Sequence, residues 1–302
     1  MTRSFFICTI WLMATGCAMA HSIDPAMVGY WSFDEGTGII AHDASSNEND
    51  GTLINGPTWT EGIIGKALEF DGIDDYVTIP DSPSLHINGN GISFMAWIYS
   101  PGFHDYGWIM GKANNGSDLA WEMLPQANLG VRYWIKTNGS ATEIETPPIL
   151  SVDKWQLVAV VYDGSYMRFY VDGVVKDSTV KTGNLDINDG PLWIGIDAYW
   201  PLPYTNYFYG KIDEVRVYSR ALSSNEIRTE FRSVFACGDA NGSGTVNISD
   251  AVYLIAYIFS GGPAPSPLLA GDANCSGSVN ISDAVYLIAY IFSGGPAPCA
   301  GC

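Results

Sequence analysis

Oxygen-bearing side chains stand at positions 1, 3, 5, 9 and 12 of a twelve-residue segment that occurs twice, 33 residues apart. The first copy supplies Asp239, Asn241, Ser243, Asn247 and Asp250, and the second supplies Asp272, Asn274, Ser276, Asn280 and Asp283. Thr245 and Ser278 at position 7 complete each candidate ligand set, and Gly244 and Gly277 occupy position 6, where the chain must turn sharply. Hard oxygens wrapped in this order around a glycine turn are what a Ca²⁺ loop requires. Two ions are therefore expected. Each loop runs into an apolar segment, Ala251 to Phe259 and Ala284 to Phe292, expected as one helix apiece, and the stretch Asn247 to Pro265 recurs letter for letter as Asn280 to Pro298. Nine apolar residues cannot span a bilayer, so each helix needs a partner surface, part of which its twin supplies.

The 302 residues suffice for one large and one small domain. Residues 1–20 read as a secretory leader: Arg3, an apolar run from Phe5 to Ala14, then Ala18-Met19-Ala20 before His21. Lipoprotein processing at Cys17 is a weaker alternative, because Ala14 stands where a branched apolar residue is usual. The mature protein is thus expected outside the cytoplasm, without a transmembrane segment. The net charge of −18, or −19 once Arg3 leaves with the leader, argues against nucleic acid or anionic membranes as partners and suits a protein that holds cations. Outside the leader, Cys237, Cys275, Cys299 and Cys302 all fall in the repeat region. An even count in an exported small domain favours disulfides, with the pairing open; a metal cluster is the lesser reading, since no His accompanies them.

From residue 25 to 232 the chain reads as short strands divided by turns, an all-β antiparallel sandwich. Ser93 to Tyr99, Gln156 to Tyr162 and Leu192 to Ile196 are apolar or alternating, and Asp172-Gly173 joins Tyr166–Val171 to Val174–Asp177 as a hairpin. Only Ser223 to Arg232 reads as a surface helix, capped by Ser223 or Ser224. The densest aromatic loop carries Trp200, Tyr204 and Tyr207, side chains whose faces can meet the C–H faces of a pyranose; a bland edge-covering role stands beside that reading. Trp108, Trp121 and Trp134 are expected to pack in the core. The histidines, His21, His42, His86 and His104, belong to no nucleophile motif.

An ordered set of motifs carries a resemblance over about 200 residues. It comprises YWSFDEG from Tyr30, NDGTL from Asn49, GKALEFDG from Gly65, DYV from Asp75, Trp155, YVDG from Tyr170, GKIDEVRVY from Gly210 and RALS from Arg220. In that order they resemble laminin G-like domains of the concanavalin A-like lectin/glucanase superfamily. The resemblance implies a two-sheet jelly roll that binds sugar, adheres to protein or hydrolyses glycosides. Hydrolases of the laminarinase type carry Glu-x-Asp-x-x-Glu on one strand; the nearest stretch here, Glu143-Ile-Glu145, lacks the central Asp and the third Glu, so no catalytic residue is expected. Asp213 shares parity with Val215 and Val217 and should face inward, with Glu214 on the opposite face. A buried carboxylate needs a partner: either a structural Ca²⁺ shared with Asp71, as superfamily members hold on their convex side, or backbone donors and a salt bridge.

The repeat region, residues 237–302, resembles a type I dockerin, because no entering helix precedes the second loop. Position 5 departs from that family, with Ser243 and Ser276 where Asp is common, leaving two carboxylates per loop. Fewer charges move affinity toward about 10⁻⁴ M, adequate outside a cell. The resemblance implies docking to a cohesin-type scaffold, with Ile248-Ser249 and Ile281-Ser282 selecting the partner. Val252, Leu254, Ile255 and their twins form the rest of that surface. Identical selector pairs imply two docking orientations related by 180°. Together the modules point to a secreted, non-catalytic glycan-binding protein tied to a larger assembly. The alternatives are a calcium-stabilised adhesion or structural protein that binds protein, or a glycoside hydrolase component.

Overall fold

Residues 24–114, 118–198, 206–265 and 267–298 are described by the computed structural model. The leader, Cys17, Trp200, Tyr204, Cys299 and Cys302 lie outside them. Among the described residues, sixteen strands form two antiparallel sheets. The first holds β1 (Met27–Trp31), β4 (Thr58–Glu61), β5 (Lys66–Asp71), β7 (Ile92–Tyr99), β12 (Gln156–Tyr162), β13 (Tyr166–Val171), β14 (Val174–Val180) and β16 (Tyr209–Tyr218). Its order is β14-β13-β12-β7-β16-β5-β4, with β1 also on β16. The second holds β2 (Ile40–Ala41), β3 (Gly51–Ile54), β6 (Tyr76–Ile79), β8 (Met110–Asn114), β9 (Asp118–Pro125), β10 (Val131–Thr137), β11 (Ser140–Glu145) and β15 (Leu192–Ile194). Its order is β11-β10-β9-β8-β15-β6-β3-β2. Helices α1 (Ser224–Ser233), α2 (Ile248–Ser260) and α3 (Ile281–Ser293) follow. The sandwich and the two repeat helices are the architecture that the strand periodicity and the duplicated loop call for.

The local signals act as their chemistry requires. Asp172 (φ 52°) and Gly173 (φ 74°) both take positive φ, the geometry of a two-residue hairpin turn. Ser223 caps α1 in a reciprocal box with Glu226. Two apolar layers flank the first sheet. Phe94, Ala96, Val158, Val160, Val215 and Val217 fill the space between the sheets, while Met95, Trp97, Leu157, Ala159 and Val161 face outward beneath Ile227 and Phe231 of α1. Burial on both faces explains why QLVAVVY reads as a continuous apolar run.

Asp213 corrects the strict-alternation reading. A bulge between Asp213 and Arg216, with Glu214 at φ 52°, shifts the strand by one face. Ile212, Val215 and Val217 therefore point into the sandwich, and Asp213 sits on the outer side, its backbone opposite outward-facing Trp97. There Asp213 Oδ2 accepts hydrogen bonds from the N–H groups of Ile63 (2.9 Å) and Ile64 (3.3 Å). Glu214 is also buried and accepts from Tyr30 and Arg216. The expected pairing of Asp213 with Asp71 does not occur: Asp71 lies opposite Tyr209, four residues along β16, roughly 13 Å away at the rise of an extended strand. Asp71 gathers instead with Asp74 and Asp75 at the end of β5.

Burial, with the neighbouring Glu214 adding to it, pushes Asp213 up to about 8. A carboxyl held neutral by the fold favours folding at acid pH, and that contribution is lost as pH rises from about 4 to about 8. Asp213→Asn keeps an acceptor for both N–H groups and should flatten this part of the decline between about pH 5 and 8, read by urea titration. Asp213→Ala removes the acceptor of two partly buried N–H groups and should cost about 1 kcal/mol at about pH 5, where the carboxyl is neutral.

Candidate calcium loops and an aromatic face

The two loops are built alike, atom by atom. Asp239 accepts from the N–H of Ser243 (2.9 Å) and Gly244 (2.7 Å), and Asp272 accepts from Ser276 (2.9 Å) and Gly277 (2.7 Å). Gly244 at φ 81° and Gly277 at φ 85° make the turn that a side chain would strain. From position 12, Asp250 accepts from Asn241 N–H (3.1 Å) and Asn247 N–H (2.8 Å), and Asp283 repeats this with Asn274 and Asn280. Ser243 Oγ lies 3.2 Å from the Thr245 carbonyl, and Ser276 Oγ lies 3.1 Å from that of Ser278. In each loop carboxylates 1 and 12 interact, and the position 5 residue bonds to carboxylate 1, to the position 3 amide oxygen and to the position 7 carbonyl.

That donor set fits Ca²⁺. Asp250 and Asp283 have no exposed surface, and burial pushes both carboxyls up, with Asp239 and Asp272 adding repulsion. A divalent cation bound by oxygen at several points relieves both effects at once. Asn247 and Asn280, expected as position 9 ligands, spend their side-chain oxygens capping Ser249 N–H and Ser282 N–H, each at 2.9 Å. They can serve an ion through water, as position 9 often does. With Asp250 or Asp283 at N3, those caps start each helix at Ile248 or Ile281, three residues before the expected start. Cys275 takes the left-handed backbone (φ 53°) that Gly242 takes in the first loop, and Cys237 and Cys275 are both disulfide-bonded.

Capping also decides which side chains are free. Ala251, Leu254, Ala284 and Leu287 form the core between α2 and α3, and Leu254 has no exposed surface. Leu254 therefore cannot belong to the docking surface expected of it. The exposed aliphatic and Phe residues are Ile248, Val252, Ile255 and Phe259, and in the twin Ile281, Val285, Ile288 and Phe292, where Tyr290 is exposed as well. Steps of four, three and four place each set on one stripe of its helix. Ser249 and Ser282 are exposed beside these stripes.

Pairing across the second sheet aligns a row on its outer face: Glu143, Trp134, Glu122, Gly111, Trp193 and Thr78. A Cβ at Gly111 would lie 2.5 Å from the Trp108 ring, so that ring covers the glycine. Trp108, Trp134, Trp193, Tyr76 and Tyr207 share one cluster here, whereas Trp121 packs between the sheets against Phe94 at 4.5 Å. The core expectation therefore places Trp121; Trp108 is buried but on the far side, and Trp134 is half-buried there. Trp193 is not singled out by the sequence reading of LWIGI, although its alternation with Leu192 and Ile194 is the signal that marks it. Glu122 accepts from Arg132 Nη2 at 3.1 Å, and burial pushes it up to about 8 despite that guanidinium. Glu143 and Glu145 are exposed on the edge strand β11. The loop bearing Trp200 and Tyr204 leaves and rejoins this cluster at Ala198 and Tyr207.

Among the described residues no helix is long and apolar enough to cross a membrane. No curated protein matches the chain. Among solved structures, the binding domain of Paraclostridial Mosquitocidal Protein 1 matches at 16% identity and TM-score 0.55, over 69% of this chain and 52% of that one. The binding domain of botulinum neurotoxin serotype G matches at 13% identity and TM-score 0.55, over 68% and 50%. Domain 4 of an extracellular GH43 arabinanase from Geobacillus stearothermophilus, solved with arabinotriose, matches at 19% identity and TM-score 0.52, over 67% and 96%. The chain spans about half the length of the toxin binding domains, and at these identities the likeness is one of fold. Residues 71–228, just over half of the chain, match the concanavalin A-like lectin/glucanases superfamily, and residues 237–292 match the dockerin type I domain. With its two-sheet sandwich and twin loop–helix repeat, the chain belongs to the concanavalin A-like lectin/glucanase superfamily, as a laminin G-like module followed by a type I dockerin domain.

Proposed function

We propose that the protein is a secreted, non-catalytic glycan-binding module whose calcium-loaded dockerin, residues 237–302, docks onto a cohesin-type partner. One observation carries the docking half: two identical apolar stripes on helices held by calcium-type loops. Exposed Ile, Val and Phe at that spacing match a flat apolar partner surface. Because both stripes and both selector pairs are the same, the partner can seat on either helix. The arabinanase domain solved with arabinotriose supports a sugar ligand for the sandwich.

For that ligand the outer face of the second sheet offers the better surface. Half-buried Trp134 and Trp193 stand about three strand spacings apart, roughly 14 Å, with buried Glu122 on a strand between them, paired to Arg132 of Trp134's own strand. Trp200, Tyr204 and Tyr207 would complete the face from the loop that begins and ends there. Asp71 remains a proposed ligand of a third ion, now with Asp74 and Asp75 in place of Asp213.

Capture of a cohesin-bearing scaffold should require Ca²⁺ and vanish in chelator. Val252→Asp should leave one competent stripe and lower capture modestly, and adding Val285→Asp should lower it at least about a hundredfold. Equal capture in chelator would overturn the docking reading. Trp134→Ala with Trp193→Ala should weaken retention on insoluble polysaccharide by about tenfold or more, at about 0.5–1.5 kcal/mol per lost aromatic contact. Release of reducing sugar with sustained turnover would instead favour the hydrolase reading.

A further inference from the structure

The dockerin does not hang from a free linker. Only residues 234–238 separate the last residue of α1 from Asp239, the first ligand of the first loop. Phe235, within that segment, packs on the outer layer of the first sheet, with its ring 5.7 Å from Trp97 and 5.4 Å from Phe231. Leu269 packs into the same layer from the segment that leads into the second loop. Pro267 helps Ile63, Tyr99, Trp155, Phe231 and Phe235 enclose a small cavity at this junction.

Each anchor sits just ahead of a calcium ligand. Phe235 precedes Asp239 by four residues, and Leu269 precedes Asp272 by three. Asp239 N–H donates to Ala236 O at 3.0 Å, and Asp272 N–H donates to Leu269 O at 2.9 Å, so the chain makes the same turn into each loop. Gly238 N–H donates to Ala270 O at 2.8 Å, which ties the two lead-in segments together. The backbone turn into the first ligand of each loop therefore starts at, or one residue after, a side chain seated on the sandwich.

We infer that the outer face of the first sheet is the seat of the dockerin's two lead-in segments, and that calcium binding is coupled to this contact. This inference rests on the calcium reading of the loops. Holding Asp239 and Asp272 in place removes part of the ordering cost of closing a loop around an ion. By linkage, the ion must strengthen the seat as much as the seat strengthens the ion. In chelator the crowded carboxylates repel, the lead-in segments loosen, and the dockerin separates from the sandwich. The face fits its own tail by half-burying Phe235 against Trp97 and Leu269 in the same layer, and it leaves the stripes on α2 and α3 free.

The test uses the full chain with Ca²⁺ as the probe. Calorimetric titration of Phe235→Ala with Leu269→Ala should show calcium affinity lowered about fivefold or more, within the usual range of coupling between sites. Phe235→Leu, which keeps an apolar anchor, should recover most of that loss. In the wild type, Ca²⁺ should raise the melting temperature of the sandwich above its value in chelator, and in the double variant that rise should disappear. The inference falls if the double variant binds Ca²⁺ as tightly as wild type, or if the sandwich melts at one temperature with and without the ion. It falls also if the calcium-dependent rise survives in the double variant, which would place the responsible ion within the sandwich. A wild type that takes up no calcium would remove the calcium reading itself.

Discussion

Strand β16 has to satisfy three neighbours and two apolar layers, and the rest of the molecule is arranged around how it does so. One edge pairs with β7 on both sides of the bulge; the other pairs with β5 through Tyr209–Ile212 and with β1 through Val215–Tyr218. The bulge at Asp213 and Glu214 falls where β5 hands over to β1. Backbone groups near such a junction need other partners, and Asp213 accepts from Ile63 and Ile64 there. Shifting one residue re-aims every side chain beyond it, so Val215 and Val217 continue the inner layer begun by Ile212. The outer side receives Asp213, Glu214 and Arg216, and Arg216 pairs with Glu230 of α1 at 3.1 Å.

That outer layer is what joins the sandwich to its dockerin. Helix α1 lays Ile227 and Phe231 on it, and the chain continues through Phe235 directly into the first calcium loop. Trp97 stacks on Phe231 at 5.6 Å and meets Phe235 edge-on, so one aromatic group spans the sheet, the helix and the start of the loop. The opposite outer face, on the second sheet, is left to Trp134, Trp193 and Tyr76. The junction with the dockerin and the aromatic row thereby lie on opposite sides of one sandwich.

Duplication gives the dockerin its economy of parts. A Cβ at Gly271 would press on Leu254 and Pro265, and one at Gly238 would press on Leu287 and Pro298. The helix of each repeat thus packs on the residues that lead into the other repeat's loop, an exchange that neither repeat can make alone. The same exchange buries Leu254 and Leu287 and turns the Ile, Val and Phe stripes outward, so one set of side chains makes the core while another stays exposed.

The sequence by itself determined whatever depends on near neighbours in the chain. The loops needed only oxygens at fixed steps and a glycine, the hairpin needed Asp172-Gly173, and α1 needed its Ser223 box. Periodicity likewise identified β12 and β13, whose bounds are the expected ones. Tertiary structure decided which face each side chain takes and which segments meet. Alternation along GKIDEVRVY could not reveal a bulge whose cause lies in β1, β5 and β7. Leu254 and Val252 look equivalent in an apolar run until the twin helix covers one of them. Trp134, Glu122 and Trp193 become a row only through strand pairing across more than 70 residues of sequence, because cross-strand register is set by contacts that no local stretch contains.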